Sequence, residues 1–208
     1  MARGLLGKVA LCCLGLIFTA SPAAAEWQFT PLIGLTFKAE TTLSDLELAA
    51  GLHHTTFGGS VRWLGGGILG VETVGVWIPG FFENDKREVV GAGTTELVKE
   101  SRVLSLMGNV VLTAPRRWTE YNLRPFVSGG FGFMRAKSLD FNNVTAFDTS
   151  FNGFNVGGGA VGFFSQRTGV QFDVRYYRTI RALGGEAFSI GDARLQYMTA
   201  SIGVVIRR

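Results

Sequence analysis

The 208-residue sequence predicts an all-β protein, an eight-stranded antiparallel up-and-down transmembrane β-barrel with lipid against its outer face. Three observations predict it. Apolar residues alternate with small or polar ones at period two in eight separate stretches. The connections between those stretches alternate between long and short. The polar faces are made mostly of Gly, Ser, Thr and Asn, where a strand facing bulk water would carry Lys and Glu.

The chain opens MARGLLGKVALCCLGLIFTASPAAAEWQF, with cations at Arg3 and Lys8, an apolar run from Val9 to Phe18 and small residues up to Ala25. This is the form of a secretory signal peptide, with cleavage expected after Ala25. The apolar run is shorter than the roughly 20 residues of a helical span. Residues 26–208 are then one barrel domain. Both cysteines, Cys12 and Cys13, lie in the segment to be removed, so disulfides are not expected to hold the barrel together. Leu11 stands before Cys12 where a lipoprotein site wants a small residue. Formal charge is +4, and loss of Arg3 and Lys8 brings it to +2 (4 − 2), which argues neither for nucleic acid nor for an acidic ligand. Twenty-nine glycines disfavour helices, and 17 phenylalanines disfavour disorder.

The eight stretches follow in order. Trp27 to Phe37 sets Trp27, Phe29, Pro31, Ile33, Leu35 and Phe37 against Gln28, Thr30, Gly34 and Thr36. Thr55 to Leu64 sets Phe57, Val61 and Trp63 against Thr56, Gly58, Ser60 and Arg62. Gly67 to Ile78 sets Leu69, Val71 and Trp77 against Gly70 and Glu72, with Val74 and Val76 blurring the second face. Arg102 to Leu112 and Arg124 to Met134 oppose Leu104, Leu106, Val110 and Val127, Phe131, Phe133 to Ser105, Asn109 and Ser128, Gly130, Gly132. Phe154 to Phe164 is rich in glycine, but Phe154 and Val156 oppose Asn155 and Gly157. Gly169 to Arg178 sets Val170, Phe172, Val174 and Tyr176 against Gln171, Asp173, Arg175 and Tyr177, and Arg194 to Ile206 closes the series. Each is close to the 9 to 11 residues of a tilted membrane strand.

Long connections are expected at Lys38 to His54, Pro79 to Ser101, Arg135 to Gly153 and Thr179 to Ala193, and short ones at Gly65 to Gly66, Thr113 to Asn122 and Ser165 to Thr168. Long and short loops therefore take opposite ends, outer and periplasmic respectively. Trp27, Trp63, Trp118 and Tyr121 then belong to a periplasmic aromatic girdle, with Phe37, Phe57 and Trp77 in an outer one.

Alternation alone does not distinguish a membrane barrel from a soluble one, since exchanging inside for outside preserves the pattern. The small polar residues do, because they suit a crowded lumen. Charges on the polar faces are few: Arg62, Glu72, Arg124, Asp173 and Arg175. A narrow lumen requires buried charges to be paired. The expectation is an ion-pair network of Arg62, Glu72, Asp173 and Arg175, with Arg124 as a candidate fifth member.

RPFVSGGFGFMR (Arg124 to Arg135), FNVGGGAVGFF (Phe154 to Phe164) and GVQFDVRYYR (Gly169 to Arg178) give the chain a resemblance to the eight-stranded outer-membrane barrels of the opacity-protein and outer membrane protein A type. The resemblance implies surface-exposed loops, a plugged polar interior and insertion by the outer-membrane assembly machinery. Such barrels usually end on an aromatic residue, whereas this sequence ends Val205, Ile206, Arg207, Arg208.

Other motifs point to little chemistry. Gly157, Gly159 and Gly162 satisfy G-x-G-x-x-G, but no helix is expected after them, so close strand packing explains them. His53 and His54 are adjacent, and in extended chain they point to opposite sides, a poor chelate. Ser60 lies near them without an orienting acid. Asn143 to Thr145 matches a sequon, which coincidence explains, and the second long loop mixes Glu83, Asp85, Lys86, Arg87 and Glu88 with Phe81, Phe82, Val89 and Val90, a composition suited to lipopolysaccharide or a surface partner and equally to an ordinary solvated loop.

The functional expectation is a monomeric, non-enzymatic outer-membrane protein without metal or cofactor. It would work structurally or through four long outer loops, contacting lipid and lipopolysaccharide. A narrow porin or small apolar-solute channel and a soluble periplasmic lipid-binding barrel are the alternatives.

Overall fold

Eight strands close on themselves, so every inner strand edge is paired and none is left to face lipid. The computed structural model describes residues 26–41, 53–65, 68–81, 86–89, 93–96, 98–115, 123–140, 147–183 and 195–208. The signal-peptide expectation, Trp118, Tyr121, the Asn143 sequon and Glu83 and Asp85 lie outside them.

The elements are β1 (Glu26–Thr41), β2 (Thr55–Leu64), β3 (Leu69–Pro79), β4 (Lys86–Val89), β5 (Gly93–Glu96), β6 (Val98–Thr113), β7 (Leu123–Asp140), β8 (Phe147–Phe163), β9 (Thr168–Leu183) and β10 (Leu195–Arg207). Around the barrel the order is β1, β10, β9, β8, β7, β6, β3, β2, all pairs antiparallel, while β4 and β5 pair only with each other. Closure is by β1 on β10, from Gln28 opposite Arg207 to Phe37 opposite Met198. The start of β1 and the end of β10 meet there: the Trp27 and Arg208 amides donate to each other's carbonyl. We refer to that rim as the terminus end and to the opposite rim as the loop end.

The apolar set faces outward. Trp27, Phe29, Ile33 and Leu35 on β1, Val71 on β3, Leu106 and Val110 on β6, Phe131 and Phe133 on β7 and Phe172 on β9 are all exposed. Ten residues separate Trp27 from Phe37, about 33 Å along a strand and about 25 Å in height at a typical barrel tilt, which matches the apolar band of an outer-membrane barrel. Trp27 stands opposite Trp63 near the terminus end, and Phe57 opposite Trp77 near the loop end with ring centroids 5.9 Å apart. A soluble barrel would reverse this surface, so that alternative is set aside.

Two features depart from the periodicity. Alternation on β1 stops at Phe37 because the pairing with β10 shifts between Phe37 and Glu40, where Lys38 takes a left-handed backbone with φ 48°. The bulge turns Ala39 inward and Glu40 outward, and the strand continues to Thr41. At the loop end β7 and β8 also run past the expected limits: the stretch Arg135 to Gly153, expected as a loop, is mostly strand, with Arg135 opposite Ser150 and Lys137 opposite Asp148. The expected second loop likewise contains the β4–β5 hairpin.

Candidate functional site

The inward-facing residues form three layers along the barrel axis. Toward the loop end lies an apolar core of Val74, Val76 and Ile78 from β3, Val103 and Met107 from β6, Met134 from β7, Phe151 from β8 and the rings of Tyr177, Tyr197 and Phe81. Tyr177 and Tyr197 stack at 4.9 Å, Phe81 meets Tyr197 edge-on at 5.8 Å, and Tyr197 shares a 2.6 Å hydrogen bond with Ser105. Toward the terminus end a smaller apolar group joins Val111, Phe126, Val161 and Val205. The charged residues lie between the two. An interior plugged by polar residues alone is therefore not what forms; Val74 and Val76 blur the alternation because they are lumen residues of the apolar layer.

Strand register builds the charged layer. Gln28 stands opposite Arg62, Arg62 opposite Glu72, and Glu72 opposite Asn109, so one inward row crosses β1, β2, β3 and β6. Arg175 comes from β9, four places from β3 in the ring of eight and hence diametrically across the lumen. Its side chain spans the gap: Nη1 donates to Glu72 Oε2 at 2.7 Å and Nη2 to Oε1 at 3.1 Å. Arg62 Nη2 donates to Oε1 at 2.8 Å, and Asn109 Nδ2 to Oε2 at 3.2 Å. Glu72 thus accepts four hydrogen bonds, which meets the demand of a carboxylate taken from water.

Asp173, one inward position before Arg175, accepts from Arg175 Nη2 at 3.4 Å and from Gln171 Nε2 at 2.7 Å. The Arg62 guanidinium also lies over the Phe126 ring at 4.1 Å, a cation–π contact, and reaches Gln28 Oε1 at 3.5 Å. All four charged residues are buried, none more than 3% exposed, and their charges sum to zero.

Arg124 stands apart from this layer. It lies 3.9 Å from Glu26 at the terminus end, where Arg207 is 3.6 Å from the same carboxylate. It is the second residue of β7, close to the terminus end, where Glu26 is a nearby acid. Gln28, Asn109, Gln171 and Phe126 complete the layer, and the sequence pattern did not single them out. Gln28, Asn109 and Gln171 were visible as polar-face positions, but only the register shows that they are next to the charges.

Glycine on β8 makes the reach across the lumen feasible. Gly157 faces Arg175 and Gly159 faces Asp173 on the neighbouring strand. A Cβ at Gly157 would lie 2.6 Å from Arg175 Cγ, and one at Gly159 would lie 2.9 Å from Asp173 Cβ. The glycine fingerprint therefore lies within a strand, not before a helix, and clears space for two charged side chains. Of the two histidines, His54 is buried against Phe81 with centroids 5.3 Å apart, and His53 is exposed. Ser60 lies six residues further along β2, about 20 Å in extended chain, too far for a catalytic pair. Among the described residues no group of three His, Cys, Asp or Glu could hold a metal.

A closed eight-stranded barrel, apolar outside and packed inside, defines an integral outer-membrane barrel protein. The chain belongs to the outer membrane protein beta-barrel domain family, whose model matches residues 10–207, and the bacterial outer membrane is its location. Among solved structures it is similar to Neisserial surface protein A, at 10% identity over 88% of this chain and 98% of that one, with a TM-score of 0.58. The N-terminal β-barrel domain of OprF from Pseudomonas aeruginosa matches at 11% identity over 86% and 97%, with a TM-score of 0.48. OprG from the same organism matches at 12% identity over 90% and 97%, also at 0.48. At 10% identity the first of these likenesses is one of fold. No curated protein matches the sequence.

Proposed function

We propose that the protein is a closed outer-membrane barrel that serves as a structural or surface-interaction element, presenting its loop end to the exterior and catalysing no reaction. One observation carries the reading: the lumen holds two apolar layers and, between them, an ion-pair layer that spans the diameter from Arg175 on β9 to Glu72 on β3. An eight-stranded barrel has room for little beyond its own side chains. With the lumen occupied, the surface available for work is the loop end and the lipid boundary. Assembly machinery, outer-membrane lipid and a ligand of the outer connections are the partners this reading requires, with the barrel as a monomer.

The narrow-pore reading has one observation in its favour. Ser60 Oγ, Ser128 Oγ and Asp173 Oδ1 are buried lumen atoms without a hydrogen-bond partner among the described residues, so part of the charged layer is polar beyond its own pairing. Planar-bilayer recording from the purified, folded barrel separates the two. The closed reading expects no steady current above the bare membrane. A large, steady conductance would overturn it and establish the pore.

A further inference from the structure

We infer that the outer surface of β8, β9, β10 and β1 holds an anionic glycerophospholipid of the periplasmic leaflet, with its phosphate between Arg167 and Arg208 and an acyl chain in the groove above them. The inference rests on the reading that the loop end faces the exterior, which puts the terminus end on the periplasmic side.

The terminus end carries an excess of cations, gathered on one side of the rim. The backbone brings three of them together: the Arg207 amide donates to the Arg167 carbonyl at 2.7 Å, and Arg208 exchanges hydrogen bonds with Trp27. Arg207 is engaged, 3.6 Å from Glu26 and with its guanidinium 4.9 Å from the centre of the Phe163 ring. Glu26 is shared further, since it lies 3.9 Å from Arg124 and accepts from Gln28 Nε2 at 2.6 Å. Arg167 and Arg208 are exposed and form no ion pair among the described residues. Four arginines against one glutamate give this side of the rim a net charge of +3 (4 − 1) among the described residues. Like charges this close repel one another, and an anion from outside relieves the repulsion. The rim of β2, β3 and β6 differs: its described residues Leu64, Ile68, Leu69, Thr113 and Ala114 carry no charge.

Height and shape select a lipid. Arg208 stands opposite Trp27, whose ring is exposed and stacks on Phe29, so the cations lie where an aromatic girdle meets the headgroups. Beyond them the outward face of β10 is hydrocarbon, with Ile206, Val204 and Ile202 all exposed. From Arg208 to Ile202 is six residues (208 − 202). That is about 20 Å along the strand and about 15 Å in height at a typical barrel tilt, half of the bilayer core. There the outer face opens into a groove of about 700 Å³ across the same four strands. Gly158, Ala160 and Ala200 leave it hollow beside the larger Phe172, Val174 and Ile33. Sites that take one small ligand run from roughly 300 to 1,000 Å³. A soluble anion would use only the arginines. A zwitterionic phospholipid would bring its own cation to them. An anionic glycerophospholipid uses both halves, the phosphate at the rim and a chain reaching the groove.

The test uses the purified, folded full-length barrel in neutral detergent micelles, titrated with phosphatidylglycerol and with phosphatidylethanolamine of the same acyl chains. Binding is read by native mass spectrometry, and heat-dependent gel mobility shows that each variant is folded. The expected result is a preference of about tenfold for phosphatidylglycerol, as two charge-assisted contacts imply. R167S/R208S should abolish the preference, whereas R102S/K137S, an equal loss of charge at the loop end, should keep it. A160F, which fills the near edge of the groove, should weaken both lipids alike by about threefold and leave the preference intact. Equal binding of the two lipids by the unmodified barrel would overturn the inference. So would a preference that survives R167S/R208S, or one lost in R102S/K137S instead. Unchanged binding in A160F would overturn it as well, since the chain would then lie elsewhere. Glycerol 3-phosphate competing as strongly as the lipid would make the rim a general anion site, and a dimer that lipid does not disperse would assign the groove to a second copy; either result sinks the proposal. The assay is indifferent to ion flow through the lumen, so conductance by the barrel would leave its outcome unchanged.

Discussion

Two carboxylates in this protein are each gripped by an arginine through paired hydrogen bonds, and their surroundings make them opposites. Glu72 meets Arg175 at 2.7 Å inside the lumen, with side-chain exposures of 0% and 1%; Asp148 meets Arg135 at 2.6 Å on the outer surface, with exposures of 38% and 59%. The geometry is nearly the same, so distance alone does not rank the two pairs. Inside, each ion has forfeited hydration worth several kcal/mol and depends on its partners to recover it. Outside, water and salt compete for both ions. The lumen pair should therefore be costly to break and the surface pair nearly free to lose.

The sharpest way to break the comparison is Glu72→Gln. It leaves Arg62 and Arg175 buried with Asp173 as their remaining carboxylate, and of the two arginines Asp173 reaches Arg175, at 3.4 Å. The expected loss is about 3 to 5 kcal/mol of stability, read by urea unfolding in lipid vesicles. Replacing Arg62 and Glu72 together by leucine should cost less than Glu72→Gln alone, since the charges left behind, Arg175 and Asp173, lie 3.4 Å apart and sum to zero. If the double variant proves the worse of the two, the layer is a net source of stability and the account of its energetics is wrong.

Placing an arginine where neither water nor a carboxylate is available extends the series. Phe172 and Val174 point outward from β9 and are 59% and 44% exposed to what is hydrocarbon in the membrane. Arginine at either position should cost about 2 to 4 kcal/mol in the same unfolding assay. Alanine at Arg135, beyond the apolar band, should be tolerated. Equal tolerance at all three positions would mean that the outward face does not meet lipid.

The space for the lumen arginine can be removed without touching a charge. A side chain at Gly157 would press on the Arg175 stem and on the β9 backbone, its Cβ falling 2.9 Å from Arg175 Cα. Gly157→Val should destabilise by about 1 to 3 kcal/mol, as overpacking does. The same change at outward Gly129, whose Cβ would have nothing closer than 3.6 Å, should cost less. A reversed order would show that β8 can yield and that its glycines serve something other than clearance.

Much of this was legible because a barrel strand carries its two environments at period two. Phe172, Val174, Asp173 and Arg175 could be assigned to their faces from GVQFDVRYYR alone. Legibility failed where one environment changes along a strand. Above the apolar band the outward positions of β7 become Arg135 and Lys137 while inward Ala136 stays apolar, so the pattern inverts and strand reads as loop. On β1 a single bulge at Lys38 reverses the phase, and the pattern stops at Phe37 although pairing resumes at Glu40. The charged layer was half legible. Buried charges must find partners, which groups Arg62, Glu72, Asp173 and Arg175; but that Arg175 crosses the full diameter to Glu72 depends on barrel order and stagger, as does the place of Arg124 beside Glu26 at the terminus end.

The smallest effect belongs to the surface pair, and pH exposes it. The hydrogen bonds from Arg135 are the main reason that Asp148 titrates below the ordinary aspartate range, with a smaller contribution from the charges of Arg135, Lys137 and Arg102. A carboxyl whose folded value is depressed contributes its stability in full above the unfolded value, near 3.9, and loses it as pH falls through the folded value. Near neutral pH, Arg135→Ala should thus move the unfolding midpoint less than any substitution above. Its signature should lie in the titration itself: carbon-13 NMR of the Asp148 carboxyl in micelles should show a higher midpoint in the variant than in the unmodified protein, and the gap should shrink in molar salt. An unfolding penalty for Arg135→Ala as large as that for Glu72→Gln would end the comparison, because burial would then not be what separates the two pairs.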